Sequence, residues 1–163
     1  MKELMAKSFC ARLKCSANDR ESFIALSQGS LAGQSGWLET NNLQEQAVEL
    51  KFQFLQQVED RYHYAITGAE GAGYYVNAAL GLSANGYLGM YHLASITNVW
   101  KFDFTEGQRT GFWLRDKDGY RVAVDNNPQE SFAYHPDKIG VPRLNAGKGG
   151  LARFELFAVR TLP

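Results

Sequence analysis

The chain has 163 residues, 17 basic and 17 acidic side chains, and a formal net charge of zero. That length suits one domain able to bury a core without disulfide staples, and the balanced charge argues against a basic face for nucleic acid or anionic lipid. No segment approaches the roughly 18 apolar residues of a membrane span, and no secretory h-region is present.

In chain order, the first predicted strand is Phe9–Leu13, where apolar and polar residues alternate at period two. Cys10 and Cys15 lie on this strand five residues apart. Their side chains therefore fall on opposite faces, too far apart for a disulfide. Cys15 shares the core face with Phe9, Ala11 and Leu13, and Cys10 faces outward with Arg12 and Lys14. Strands Phe23–Leu26 and Trp37–Glu39 follow. Leu43–Leu50 reads as a loop with helical leanings, leading into Leu50–Phe54. A second set comprises Tyr62–Ile66, Tyr75–Ala78, Tyr87–Gly89 and Trp100–Phe104. A third comprises Thr110–Leu114, Arg121–Val124, Val141–Leu144 and Ala152–Leu156. Gly36, Gly86 and Gly140 each precede a third strand, where a tight turn needs positive φ. Pro142 cannot donate to a ladder, so its strand is expected at an edge or a bulge.

The sets are related by a repeated phrase. Leu50-Lys51-Phe52-Gln53-Phe54 returns as Trp100-Lys101-Phe102-Asp103-Phe104 and as Ala152-Arg153-Phe154-Glu155-Leu156. A supersecondary unit used three times is the reading of such a period. The chain resembles the β-trefoil superfamily from about Phe9 to Val159. Gly73-Tyr74-Tyr75-Val76-Asn77-Ala78 followed by Gly86-Tyr87-Leu88-Gly89 is similar to the pattern of fascin-like and agglutinin-type trefoils. The Gln-x-Trp signature of ricin-type lectins is absent. The resemblance implies a single all-β domain, residues 1–163. It would hold twelve strands in three pseudo-symmetric four-strand units near 8–56, 57–106 and 107–160. Phe52, Phe102 and Phe154 would then meet at the axis, with Phe54, Phe104 and Leu156 as a second layer and Leu13, Ile66 and Leu114 as a third.

Catalytic signals are thin. His63, His92 and His135 form no H-x-H or H-x-x-x-H pair, and no C-x-x-C occurs. Asn145–Gly150 lacks the first glycine and the Ser/Thr of a phosphate loop. Lys51, Lys101 and Arg153 recur at one position of each unit, and they read as charges set among Gln53, Asp103 and Glu155 in preference to an anion site. The expectation is a non-enzyme without cofactor or metal, cytoplasmic when synthesised unless an unconventional route exports it.

Loops and outward aromatics remain. Rings with polar partners hold sugars by stacking and directed hydrogen bonds, and exposed aromatics also mark protein interfaces. The resemblance implies a non-catalytic binding module; the exposed aromatics point to a lectin-like one with a glycan or glycoprotein ligand, and the balanced charge to no nucleic-acid partner. The candidate contact residues are Asn85, Tyr87, Tyr91, His92, Trp113, Tyr134 and His135 of units two and three. The alternatives are a protein-binding trefoil, either a protease inhibitor using the long 125–140 loop or a fascin-like filament binder, and the cell-surface-binding component of a toxin.

Overall fold

The computed structural model describes residues 4–29, 33–92, 98–104, 111–128 and 141–162. These residues form thirteen strands in one all-β sheet. The strands are β1 (Phe9–Ala17), β2 (Arg20–Gly29), β3 (Gly33–Asn41), β4 (Leu50–Val58), β5 (Arg61–Gly68), β6 (Ala79–Leu82) and β7 (Leu88–Tyr91). The rest are β8 (Trp100–Asp103), β9 (Phe112–Arg115), β10 (Val122–Asp125), β11 (Arg143–Ala146), β12 (Gly150–Leu151) and β13 (Arg153–Thr161).

Six strands close on themselves. Antiparallel pairing runs β1–β4, β4–β5, β5–β8, β8–β9 and β9–β13, and returns from β13 to β1. Closure removes free edges, the usual hazard of a sheet. The remaining strands pair as the hairpins β2–β3, β6–β7 and β10–β11, and β12 adds to β10. The hairpins touch one another through Trp37↔Gly89, Arg143↔Glu39 and the bridge Tyr87↔Asn145.

Local chemistry explains the turns. Asn18 and Asp19, at φ 54° and 61°, join β1 to β2, and Ala17 faces Arg20 across them. Two central residues at positive φ make the turn whose twist suits a hairpin, and Asn and Asp tolerate that conformation best after glycine. Gly36 and Gly86 have φ of +86° and +87°; Gly86 precedes β7 as expected, whereas β3 begins earlier than expected, at Gly33, and Gly36 lies inside it at the register shift opposite Leu26–Gln28. Gly140 lies outside the described residues. Pro142 stands just before β11, and its carbonyl accepts from the Thr40 amide at 3.2 Å.

The second strand of the middle set departs from expectation. Residues 75–78 are not a strand. Glu70–Tyr75 winds as a 3-10 segment, kinked at Gly73 with φ 61°, and the strand begins at Ala79. Left-handed backbone at Gly73 and Asn77 breaks the extended run. The chain here also folds tightly against Gly68, where a Cβ would meet the Tyr75 carbonyl oxygen at 2.0 Å. Periodicity sees side chains and is blind to such backbone contacts. The other difference is β12, a two-residue strand in the turn-rich 147–151 segment.

The core follows the repeated phrase. Phe52, Phe102 and Phe154 are wholly buried inside the ring, as are Phe9, Tyr64 and Phe112. Leu13, Ile66 and Leu114 are buried with them, and Phe54, Phe104 and Leu156 pack partly buried against the cluster. Both cysteines are free and buried. Cys15 is in the core. Cys10 does not reach solvent as expected: its register partners are Arg160 and Lys51, and it is only 3% exposed. Burial pushes its thiol pKa up, against the opposing effect of Arg160.

Tyr64 donates its hydroxyl to the Lys7 carbonyl at 3.2 Å, beneath the Leu4–Lys7 segment. Burial pushes its phenol from an ordinary 10.0 up to about 12. A group whose folded pKa is raised stabilises the fold below its unfolded pKa and loses that contribution as pH rises through the folded one. The fold therefore weakens from about pH 10 to 12 as Tyr64 is driven to ionise. In Tyr64→Phe this alkaline loss, followed by denaturant midpoint against pH, is expected to shrink. An unchanged slope would show that other groups cause it.

Candidate functional site

The residues that gather at the surface belong to the middle set. The 3-10 segment ends in Tyr74 and Tyr75, and β7 ends in Tyr91 followed by His92. Tyr74 is 75% exposed, the most exposed large hydrophobic side chain among the described residues. It is held in place all the same. Its ring meets Tyr75 edge-on at 5.0 Å and His92 edge-on at 4.9 Å, while Tyr75 and His92 stack at 5.7 Å and 14°.

The His92 side chain also holds the backbone of Tyr74. Its Nε2 lies 2.9 Å from the Tyr74 carbonyl oxygen, and since a carbonyl only accepts, the ring donates from Nε2. That leaves Nδ1 as the second polar position of the exposed ring. Tyr75 is buried beneath, and burial raises its phenol pKa. Two glycines make room. A Cβ on Gly36 would press the Tyr75 ring at 3.0 Å, and one on Gly89 would meet Trp37 at 3.1 Å and Tyr91 at 3.4 Å. Trp37 and Tyr91 therefore flank Gly89, and the Arg143 guanidinium lies 5.6 Å from the Trp37 ring centre.

The other predicted site residues are dispersed. Asn85 is exposed in the turn at the far end of the β6–β7 hairpin, where its carbonyl accepts from Asn145 Nδ2 at 3.0 Å. Asn85 lies six residues before Tyr91, and β7 (Leu88–Tyr91) between them spans roughly 10 Å at the rise of a strand. Tyr87 is not a surface ring. It is 1% exposed and donates its hydroxyl to Asp125 Oδ2 at 2.5 Å, with Lys148 Nζ 3.6 Å from the same oxygen. It is a structural strut between two hairpins.

Trp113 also differs from expectation. Its side chain leaves the barrel interior, as the alternation with Phe112 and Leu114 requires, yet it is only 9% exposed. The guanidiniums of Arg121 and Arg153 lie 4.8 and 4.5 Å from its ring centre and cover it. Its buried Nε1 has no hydrogen-bond acceptor among the described residues. Tyr134 and His135 lie outside the described residues, as does most of the 125–140 loop.

Tyr74, Tyr75 and Trp37 are not among the contact residues expected from the sequence. For Trp37 the missing signal was long-range, because its partner Gly89 lies opposite it only through the β3–β7 pairing. For Tyr74 the alternation rule failed, because the segment is a 3-10 turn.

Several charged groups elsewhere have defined partners. Glu49 receives Arg160 through two contacts of 3.1 and 3.2 Å. That hydrogen-bonded pair holds its carboxyl below the ordinary range against the opposing effect of burial. Arg12 donates to the Ala47 carbonyl. Lys51, Lys101 and Arg153 do not form a common site: Lys51 is exposed, Lys101 Nζ donates to the Lys117 carbonyl at 3.0 Å, and Arg153 lies on Trp113. Among the described residues no three His, Cys, Asp or Glu side chains gather as a metal site would require. No family model, curated protein or solved structure matches the chain.

Proposed function

We propose that this chain is a non-catalytic binding module of the β-trefoil type, and that Tyr74 and His92 form a platform for a sugar ring. The fold reading is supported by the closed ring of six strands, the three hairpins joined to one another, and the wholly buried Phe52, Phe102 and Phe154 at matched positions. The ligand reading rests on one observation above the rest. Tyr74 keeps three-quarters of its surface in water while Tyr75 and His92 fix its orientation.

An exposed ring on a loose side chain would serve neither packing nor recognition well. A fixed one offers a flat apolar face at little entropic expense, because the ordering has been done by the fold. The CH face of a pyranose stacks on such a ring, and His92 Nδ1 stands beside it to take a hydroxyl hydrogen bond.

Glycan-array screening of the parent protein, followed by titration of the best hit, is the test. Tyr74→Ala is expected to weaken binding about tenfold or more, which corresponds to about 1.4 kcal/mol. Tyr74→Phe should retain most of the affinity. The Tyr74→Ala protein should melt close to the parent, since exposed substitutions usually stay within about 0.5 kcal/mol. No hit at any protein concentration, or hits insensitive to Tyr74→Ala, would refute the platform.

A further inference from the structure

The 3-10 segment that carries Tyr74 is a loop with both feet on one residue. Gly68, the last residue of β5, donates to the Ala78 carbonyl at 2.9 Å and accepts from the Asn77 amide at 2.9 Å. A 3-10 turn of six residues has little stability of its own, so its surroundings must set its course. The far half is seated by Tyr75 against Gly36 and by His92 on the Tyr74 carbonyl. The near half is seated by Glu49.

The β4–β5 ladder ends at Leu50↔Gly68. Glu49, one residue beyond it, takes up two more amides of the outgoing chain. Its carbonyl accepts from Ala69 at 3.0 Å, and its Oε1 accepts from Gly71 at a longer 3.4 Å. Any residue at position 49 could make the first bond. Only the second needs a side-chain acceptor. The carboxylate is clamped in turn by Arg160 of β13, which donates to both of its oxygens. Gly71 lies close over Glu49 and over Arg12 of β1: a Cβ there would meet Glu49 Cβ at 3.3 Å and Arg12 Nη2 at 3.3 Å. From this seat Ala72 enters the core, Gly73 turns the backbone at φ 61°, and Tyr74 emerges against His92.

We propose that Glu49 is a positioning residue for the Tyr74–His92 pair, acting through Gly71 while Arg160 holds its carboxylate in place, a role that rests on the sugar-platform reading. Glu49 touches no ligand. It sets the fraction of time for which Tyr74 stands on His92. A ligand that binds only the assembled platform loses affinity in proportion to that fraction, so assembly for about a fifth of the time means about fivefold weaker binding.

The test reads the platform directly, through the assigned NMR signals of the His92 ring in the full chain, and then by titration with the best hit of the glycan array. In the parent, the two tyrosine rings should displace the His92 proton shifts from those of a free imidazole. Its ring nitrogens should show the Nε2–H tautomer. Glu49→Ala is expected to move these signals towards free values and to weaken glycan binding about fivefold or more. Arg160→Ala, a change at a half-exposed side chain, should move them the same way and decides the matter if Glu49→Ala does not fold. Glu49→Gln keeps an acceptor for Gly71 and should restore the parent signals, with affinity within about twofold. Asp103→Ala breaks a buried ion pair elsewhere, so it loses stability and should leave the His92 signals unmoved. The role is overturned if Glu49→Ala keeps the parent signals, if Glu49→Gln moves them as far as Glu49→Ala, or if Asp103→Ala moves them equally. An empty glycan array refutes the sugar reading, and the His92 signals still decide this one. Parent signals in Glu49→Ala beside Tyr74-dependent glycan binding would refute the positioning role alone.

Discussion

Phe102→Ala is expected to lower stability by about 3–5 kcal/mol, the usual loss when a buried aromatic ring is deleted. The ring stacks on Phe112 at 4.2 Å and 9°, and meets Tyr64 at 4.8 Å and Phe52 at 5.5 Å. Those partners sit on three different strands of the ring, β9, β5 and β4, so their collapse into the void would have to distort the barrel wall. A chain of this size shifts its melting temperature by about 2–4 °C per kcal/mol. The expected fall is therefore about 6–20 °C in a thermal melt. Leu55→Ala, at a position 46% exposed, is the comparison and should change stability by less than about 0.5 kcal/mol. Should Phe102→Ala melt with the parent, the ring interior is not the core of this protein.

Asp103→Ala is expected to destabilise by about 2–4 kcal/mol through a different mechanism. Deleting one partner of a buried ion pair strands the other charge, which typically costs about 3–5 kcal/mol. Here the Arg115 side chain is 15% exposed and keeps the Gly119 carbonyl at 2.7 Å, and Arg61 is 38% exposed. Partial access to water lowers the figure. Asp103→Asn keeps the shape and loses the charge, so its effect should fall between Ala and the parent. Denaturant unfolding of Asp103→Ala, Arg115→Ala and the double variant gives the coupling directly. The double variant should lose much less than the sum of the singles. Additive losses would mean that the pair contributes nothing beyond its separate packing.

Much of the architecture was legible because the buried positions repeat. Phe52, Phe102 and Phe154 stand at matched places in their strands, and burial on one face enforces period-two alternation around each. Eleven of the twelve predicted strands overlap an observed one on this basis, and Gly86 adopts the positive φ that its place demands. The failure at Tyr75–Ala78 came where backbone geometry, set by Gly68, Gly73 and Asn77, overrode side-chain pattern.

The site was less legible, and for a consistent reason. Alternation states which side of a strand a residue leaves from, but not what lies over it there. Trp113 and Cys10 both point out of the barrel and both are buried, one under Arg121 and Arg153 and the other between the strands carrying Arg160 and Lys51. Tyr87 reads as a hairpin aromatic and is a buried donor to Asp125, a residue 38 positions away.

The amino-acid sequence by itself determined the all-β class, the threefold recurrence of buried aromatics and the location of most strands, because these depend on local alternation and on which residues cannot stay in water. Tertiary structure decided which outward side chains reach solvent and which neighbours they find. It set Tyr74 on His92, laid two guanidiniums on Trp113, and lined Lys101 up with His63 and Arg115. Such juxtapositions are made by strand pairing between distant segments, and pairing depends on the whole barrel closing.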